Sequence, residues 1–426
     1  MASGSSAEHG VERPHEVLTA AAVRQAVTAA LGGDEWVGQR VLVLVPDGTR
    51  TGPLPLVLGA VHEALHGRVA ALEVLVALGT HQPMSEAALD RHLGVAPGGR
   101  LARYPGMTVR NHAWEDPGTF VTLGTIPAEE IADLSGGLLR QPLAVRVNRR
   151  VVEHDVVLIC GPVFPHEVVG FSGGNKYLFP GVSGQEVIDV SHWLGALLTS
   201  REVIGAPGTT PVRRLIDRAA GMVPAERRCL AMVVAPGGDE LHGLFTGTPE
   251  AAWAAAAERS AEVHIRHVDR PYRRVLSVVP PMYQDMWTAA KGMYKVDPVV
   301  ADGGEVVVLA PHVTAFSRTH DRELAAVGYH CRDYFTGQWD RFRDHPWGVL
   351  AHSTHLRGSG TWDPEAGERC RIRVTVATGI DAERCRAHGL GYRDPAGIDP
   401  DRWAEDADTL VVPRAGETLY RLRTPR

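Results

Sequence analysis

Val41-Leu42-Val43-Leu44-Val45 is an unbroken apolar run that stops at Pro46-Asp47-Gly48. A run this short, with no polar residue alternating in it, reads as a strand buried on both faces, which requires helices on both sides of its sheet. The arrangement recurs: residues 73–78 end at Gly79-Thr80-His81, and residues 156–160 end at Gly161-Pro162. Residues 54–66 and 85–93 have helical spacing between them, with Ser85 placed as an N-cap. Strand, loop and helix in repetition predict a parallel α/β sheet. A second set of buried strands is expected at 274–279, 305–309 and 372–377, after an Ala-rich helix at 249–261 and a passage at 264–272. The expected fold class is α/β with two domains, each a mainly parallel sheet flanked by helices, and the active site in the cleft between them. The chain of 426 residues has room for both. The expected division is a disordered tail at 1–14, a first domain at 15–268 and a second at 269–426.

Polar residues gather where the strands stop. In open α/β sheets, ligands bind outside the carboxyl ends of the strands, so Asp47, Thr49 and Arg50 after one strand, Thr80 and His81 after another, and His166 after a third are expected to meet. The net charge of -6 gives no reason to expect nucleic acid. No apolar run approaches the ~20 residues that span a bilayer, and the N-terminus has no basic region followed by an apolar core, so no secretory signal or membrane is expected. The five cysteines form no CxxC pair. They are read as buried thiols in a reducing, cytoplasmic setting.

One stretch carries the strongest chemical signal: Pro165-His166-Glu167-Val168-Val169-Gly170-Phe171-Ser172-Gly173-Gly174-Asn175-Lys176, with Ser191-His192 shortly after. The Gly173-Gly174 turn lets the backbone approach a phosphate or cofactor closely. Lys176 stands among Phe171, Tyr177, Leu178 and Phe179, and a lysine in apolar company is costly unless it is paired, neutral or covalently modified. An imidazole on each side supplies a proton shuttle or a metal ligand. The other pieces have plainer readings beside the functional ones. Asp47-Gly48-Thr49-Arg50 is either a turn with a surface arginine or an arginine fork for a carboxylate. His81 is either a satisfied surface histidine or a general acid/base, and His192 either starts a helix or serves the site. Lys291, in Trp287-Thr288-Ala289-Ala290-Lys291-Gly292, is either solvated or reaches a substrate anion. His312, His320, His330, His352 and His355 lack a zinc-binding spacing and are expected to be structural or supporting.

Together, Asp47 to Arg50, Gly79-Thr80-His81-Gln82-Pro83, His166 to Lys176, His192 and Lys291 resemble the lactate racemase family, whose enzymes use a nickel-pincer nucleotide. The resemblance is strong over residues 40–200 and rests on Lys291 and its surroundings beyond. It implies that Lys176 holds the nucleotide covalently through a thioamide and that His192 is the protein ligand to nickel. Asp47, Thr49, Gly173 and Gly174 would seat the nucleotide. Arg50 and Lys291 would hold the substrate carboxylate, and His81 and His166 would exchange the hydroxyl proton. The implied reaction is racemisation or epimerisation of a 2-hydroxy acid: the cofactor takes the Cα hydride, the planar keto acid rotates, and the hydride returns to its other face. Enzymes that make the cofactor are implied partners, and a homodimer is an expected assembly.

One position departs from the family. Three residues before Lys291, lactate-acting members carry glutamine, whereas this chain has Thr288. With Tyr283, Trp287 and Tyr294 nearby, the expected substrate is larger than lactate, such as a sugar acid or an aromatic hydroxy acid. Three other readings remain open at this point: an oxidoreductase with the same cofactor, a pyridoxal-phosphate enzyme with Lys176 as the Schiff base, and a cofactor-binding protein without catalysis.

Overall fold

The computed structural model describes the backbone of residues 9–12 and all of residues 17–423. A first sheet contains β1 (His9–Glu12), β2 (Arg40–Val45), β3 (Ala71–Val76), β4 (Met107–Asn111), β5 (Val156–Pro162), β6 (Glu226–Val234) and β7 (Leu241–Gly247). Their order is β1-β7-β6-β5-β2-β3-β4. The five strands from β6 to β4 are parallel, and β7 and then β1 add on antiparallel at one edge. Val41 to Val45 are fully buried, as an apolar run in the middle of a parallel sheet must be. A second sheet contains β8 (Tyr272–Val278), β9 (Val300–Ala310), β10 (Arg373–Thr378), β11 (Gly391–Tyr392) and β12 (Thr409–Val412), in the order β11-β10-β9-β8-β12 and parallel throughout. The expected α/β class with two mainly parallel sheets is what the chain forms.

The chain order gives the first sheet a switch point. From β2 the chain adds β3 and β4 on one side, whereas β5 and β6 lie on the other. The loops leaving β2 and β5 therefore diverge, and a crevice opens outside their carboxyl ends. Asp47 to Arg50 and His166 to Lys176 occupy those two loops.

Ser85 caps the helix Glu86–His92 through Ala88 N–H, as its sequence position predicts. Two expectations need correction. Residues 9–12 of the expected disordered tail form β1, because the edge strand β7 leaves a row of backbone groups for a further strand to pair. The expected passage at 264–272 contains the strand Ile265–Val268, which pairs in parallel with Leu419–Leu422 near the end of the chain. The helix Gln185–Leu198 packs against the helix Trp347–Arg357, joining the two halves of the sequence. Among the described residues, no helix is long and apolar enough to cross a membrane.

Candidate active site

The loop after β2 is organised by Asp47. Its Oδ1 accepts hydrogen bonds from Thr49 N–H (3.1 Å) and Thr49 Oγ1 (2.7 Å), and its Oδ2 lies 2.6 Å from His81 Nδ1. Burial would raise the Asp47 carboxyl, but His81, Thr49 and Arg50 outweigh it and hold Asp47 well below the usual carboxylate range. The carboxylate is ionised, so His81 Nδ1 carries the shared hydrogen, and in the neutral ring Nε2 is the nitrogen with the lone pair. Trp114 Nε1 donates to the His81 carbonyl at 2.9 Å and fixes that loop.

His166 lies in a tight hairpin in which Pro165–His166 pairs with Gly170–Phe171. Its Nδ1 accepts from Val168 N–H at 3.2 Å and lies 3.3 Å from Glu167 Oε2. Burial, with the positive charges of Lys176 and Arg50, pushes His166 well below its ordinary value, so it rests neutral. Burial works against the Glu167 carboxylate, but His355, Lys291 and Arg50 keep it ionised. The two histidines thus each have a carboxylate beside Nδ1.

The glycine turn has a reason in the protein's own packing. Gly173 and Gly174 take φ of +85° and +57°, where a side chain is strained. A Cβ on Gly173 would meet Val163 Cγ2 at 2.5 Å, and one on Gly174 would meet Trp253 Cβ at 2.9 Å. The turn is glycine because the protein closes on it, and Gly174 does not line the pocket. Arg213 donates to the carbonyls of Phe171 (2.6 Å) and Gly173 (3.1 Å) and lies over the Trp253 ring at 4.1 Å. Asn175 is tied to Asp217, Glu250 and Arg227. These bonds aim Lys176 into the pocket, where burial, reinforced by Arg50, lowers its amine to about 8. Such a depressed lysine is a competent nucleophile near neutral pH.

His192 projects from the helix Gln185–Leu198 into the same pocket. Its Nδ1–H donates to the Ile188 carbonyl at 2.7 Å, which leaves the Nε2 lone pair for a ligand. Burial lowers its imidazole to about 4, so the neutral, ligating form prevails.

Trp287, Thr288, Lys291 and Tyr294 complete the lining with Arg50. Lys291 Nζ lies 4.6 Å from the Tyr283 ring centroid, and burial next to Arg50 lowers its amine to about 7. Arg50 stays charged: burial opposes it, but Tyr283, Glu167 and Asp47 more than compensate.

Three of the histidines expected to be structural also face this space. His352 stacks on Trp287 and His320 lies tilted against it, with ring centroids 4.1 and 4.7 Å away. His320 Nε2 lies 3.1 Å from Thr80 Oγ1. His355 Nδ1 bonds Ser200 Oγ at 2.6 Å, and its buried Nε2 has no partner. All three line the pocket, whereas His312 bonds the Tyr283 carbonyl and His330 bonds Glu368, both outside it. Except for Gly174, every residue singled out for the site faces one pocket. Glu167, His320, His352 and His355 are the members that sequence spacing did not reveal, and Arg213 supports the glycine turn from outside the pocket.

Residues 11–205 match the family model described as lactate racemase N-terminal domain. A lactate racemase of Thermoanaerobacterium thermosaccharolyticum is 23% identical over 278 residues, covering 64% of this chain and 60% of that protein. A lactate racemase of Lactiplantibacillus plantarum is 24% identical over 283 residues, covering 63% and 59% respectively. The match therefore spans about three fifths of the length of these curated relatives. A crystal structure of a Thermotoga maritima protein superposes with a TM-score of 0.88 at 31% identity, covering 97% of this chain and 100% of that one. The lactate racemase apoprotein of T. thermosaccharolyticum superposes with a TM-score of 0.71 at 18% identity, covering 94% and 93%, and shares the fold.

Proposed function

From the match of residues 11–205 to the lactate racemase N-terminal domain and the likeness to two lactate racemases, we propose that the chain inverts the Cα stereocentre of a 2-hydroxy acid, as a racemase or epimerase that carries a nickel-pincer nucleotide. The observation that carries the reading is the pair of histidine–carboxylate couples, His81–Asp47 and His166–Glu167, turned towards one pocket with Lys176. Binding alone has no use for two such couples.

The residues fit the cofactor. The Lys176 amine is buried, depressed and lines the pocket, so it suits covalent attachment. His192 has its Nδ1 occupied by a carbonyl and Nε2 left as a nitrogen donor, which suits nickel. Thr49 and Gly173 line the adjoining wall. When bound, the group supplies a reversible acceptor for the Cα hydride.

The protein's own part is binding, proton transfer and exclusion of water. Arg50 and Lys291 hold the substrate carboxylate, Arg50 by its planar fork and Lys291 as a point charge. His81 Nε2 takes the hydroxyl proton of one enantiomer while Asp47 stabilises the imidazolium that forms. His166 plays the complementary part for the other: its Nδ1 accepts from Val168 N–H, so Nε2 carries the proton and supplies it to the hydroxyl oxygen, with Glu167 beside Nδ1. The keto acid turns between them and is reduced on its other face. Burial keeps His166 neutral at rest.

The substrate is larger than lactate in this reading. Thr288 stands at the boundary between the main pocket and a second cavity that continues past Met84, His92 and Arg318. That side is polar at Thr80, His320 and Gln284 and apolar at Trp287 and Met282, as a sugar acid or an aromatic hydroxy acid requires. With all five cysteines unpaired, a reducing, cytoplasmic setting and dependence on cofactor-making enzymes belong to the same proposal.

The test is a panel of enantiopure 2-hydroxy acids deuterated at Cα, given to cofactor-loaded protein. The expected result is inversion with deuterium retained at Cα. Deuterium lost to an added acceptor, with keto acid accumulating, would instead make the protein an oxidoreductase.

A further inference from the structure

Cys331, Glu368 and Cys370 lie outside the pocket just described and take no part in its chemistry. Cys331 is buried and immediately precedes the helix Arg332–Thr336. Glu368 and Cys370 belong to the strand Gly367–Cys370, which forms a hairpin with Gly360–Asp363. Being two apart on a strand, they point to the same face. One ligand atom from each of the three residues lies within 4.8 Å of the other two, the one such group among the described residues.

The surroundings hold this set in place. A Cβ on Gly360 would fall 3.0 Å from both Cys331 Cβ and Cys370 Cα, so only glycine lets the two cysteine-bearing segments close. Glu368 is oriented from behind: Oε2 lies 2.9 Å from His330 Nδ1, and Oε1 accepts the Cys331 N–H. His330 is itself fixed by stacking on Tyr334 at 3.6 Å between centroids. Each carboxylate oxygen keeps a second lone pair. Histidine bonded to a ligating carboxylate is the outer support that metal sites use.

We propose that Cys331 Sγ, Cys370 Sγ and a Glu368 oxygen form a zinc site, with a water in the fourth position on the half-exposed side. Two thiolates select a soft divalent ion over magnesium or calcium, and two sulfurs with two oxygens suit tetrahedral zinc. Binding releases the two thiol protons to solvent and changes no oxidation state. The charges balance: two thiolates and a carboxylate face a divalent ion and the Arg357 guanidinium, whose field acts on both Glu368 and Cys370. The site also has a structural consequence. The His330 N–H donates to Ser353 Oγ at 2.9 Å, and Ser353 lies on the helix Trp347–Arg357 that carries His352 and His355 into the pocket. Zinc would tie the hairpin to the support of that wall.

The experiment strips the full-length protein with a chelator and titrates it with zinc against a chromophoric competitor, with cobalt as a spectroscopic substitute. The expected result is about one zinc per chain and a thiolate-to-cobalt charge-transfer band. Cys331→Ser and Cys370→Ser should each weaken binding by more than about 100-fold, exceeding the ~10–100-fold that loss of an outer partner costs. Glu368→Gln should weaken it by about 10-fold. Zinc should raise the melting temperature of the natural protein but not of Cys370→Ser, whose half-exposed position spares the core if Cys331→Ser fails to fold. Lys176→Ala should bind zinc normally, which separates this site from the cofactor reading. No zinc uptake, uptake that survives loss of both thiols, or a Cys331–Cys370 disulfide whose reduced form takes no zinc would each overturn the assignment.

Discussion

Asp47→Asn changes one atom and should disable His81. Thr49 donates two hydrogen bonds to Asp47 Oδ1, from N–H and from Oγ1. In the variant only the amide oxygen can accept them, so the amide nitrogen must take the Oδ2 position, 2.6 Å from His81 Nδ1. That nitrogen donates, so His81 must turn its Nδ1 lone pair towards it and carry its proton on Nε2. The base then faces the substrate already protonated. Losing a charge-assisted hydrogen bond alone costs about 1.5–3 kcal/mol, or roughly 10–100-fold in rate at 1.36 kcal/mol per decade. A forced wrong tautomer brings the loss towards ~10⁴-fold, the drop known for the corresponding change in a serine-protease triad. The assay is the racemisation rate of enantiopure substrate, on protein whose Lys176 mass and nickel match the natural enzyme. A loss of 10²–10⁴-fold in kcat is the expected order of magnitude. A fully loaded variant within about threefold of the natural rate, well short of the smallest loss a severed charged hydrogen bond implies, would refute the role given to the Asp47–His81 couple.

Thr288→Gln should narrow the pocket, shifting kcat/KM towards small over bulky 2-hydroxy acids by about 10-fold or more, read from paired substrates. It also removes the Thr288 Oγ1 bond to Asp285 (2.8 Å), so urea unfolding should register a loss of about 1 kcal/mol; an unchanged substrate ratio would count against Thr288 as the determinant. Burial depresses Lys176 to about 8 and Lys291 and Lys295 to about 7, so above neutrality the unfolded chain binds more protons than the folded one. Stability of the unmodified protein should therefore rise from pH 7 towards about pH 9, with a limiting slope of ~1.4 kcal/mol per pH unit for each fully differing lysine. A flat or falling melting temperature across that range would mean that these amines remain charged in the folded state.

The parts of the fold that were legible are those where one local rule decides. Residues 41–45 and 156–160 are apolar without alternation because both faces of β2 and β5 are covered, and the residues that end these strands lie at the switch point. The missed parts depend on contacts between distant segments. Glu167 follows His166 directly, and strand alternation would turn it away; the tight hairpin brings it into the pocket instead. Arg213 supports the glycine turn from a helix far along the chain, with no local pattern to announce it. His352 and His355 looked structural because their helix reveals its inner face only once it packs on Gln185–Leu198. β1 resembles a tail in sequence because its few residues have little apolar character and pair only with an available sheet edge. Cys331 and Cys370 have no motif spacing because a hairpin, not a local loop, brings them together.

The most direct test of the central claim is the intact mass and nickel content of the chain produced together with cofactor-making enzymes. Working in the Cys370→Ser background keeps thiol-bound metal out of the count. The account predicts a nucleotide-sized mass increase that maps to Lys176, accompanied by stoichiometric nickel that is lost in His192→Ala. An unmodified Lys176 without nickel, under conditions that load a lactate racemase, would contradict it.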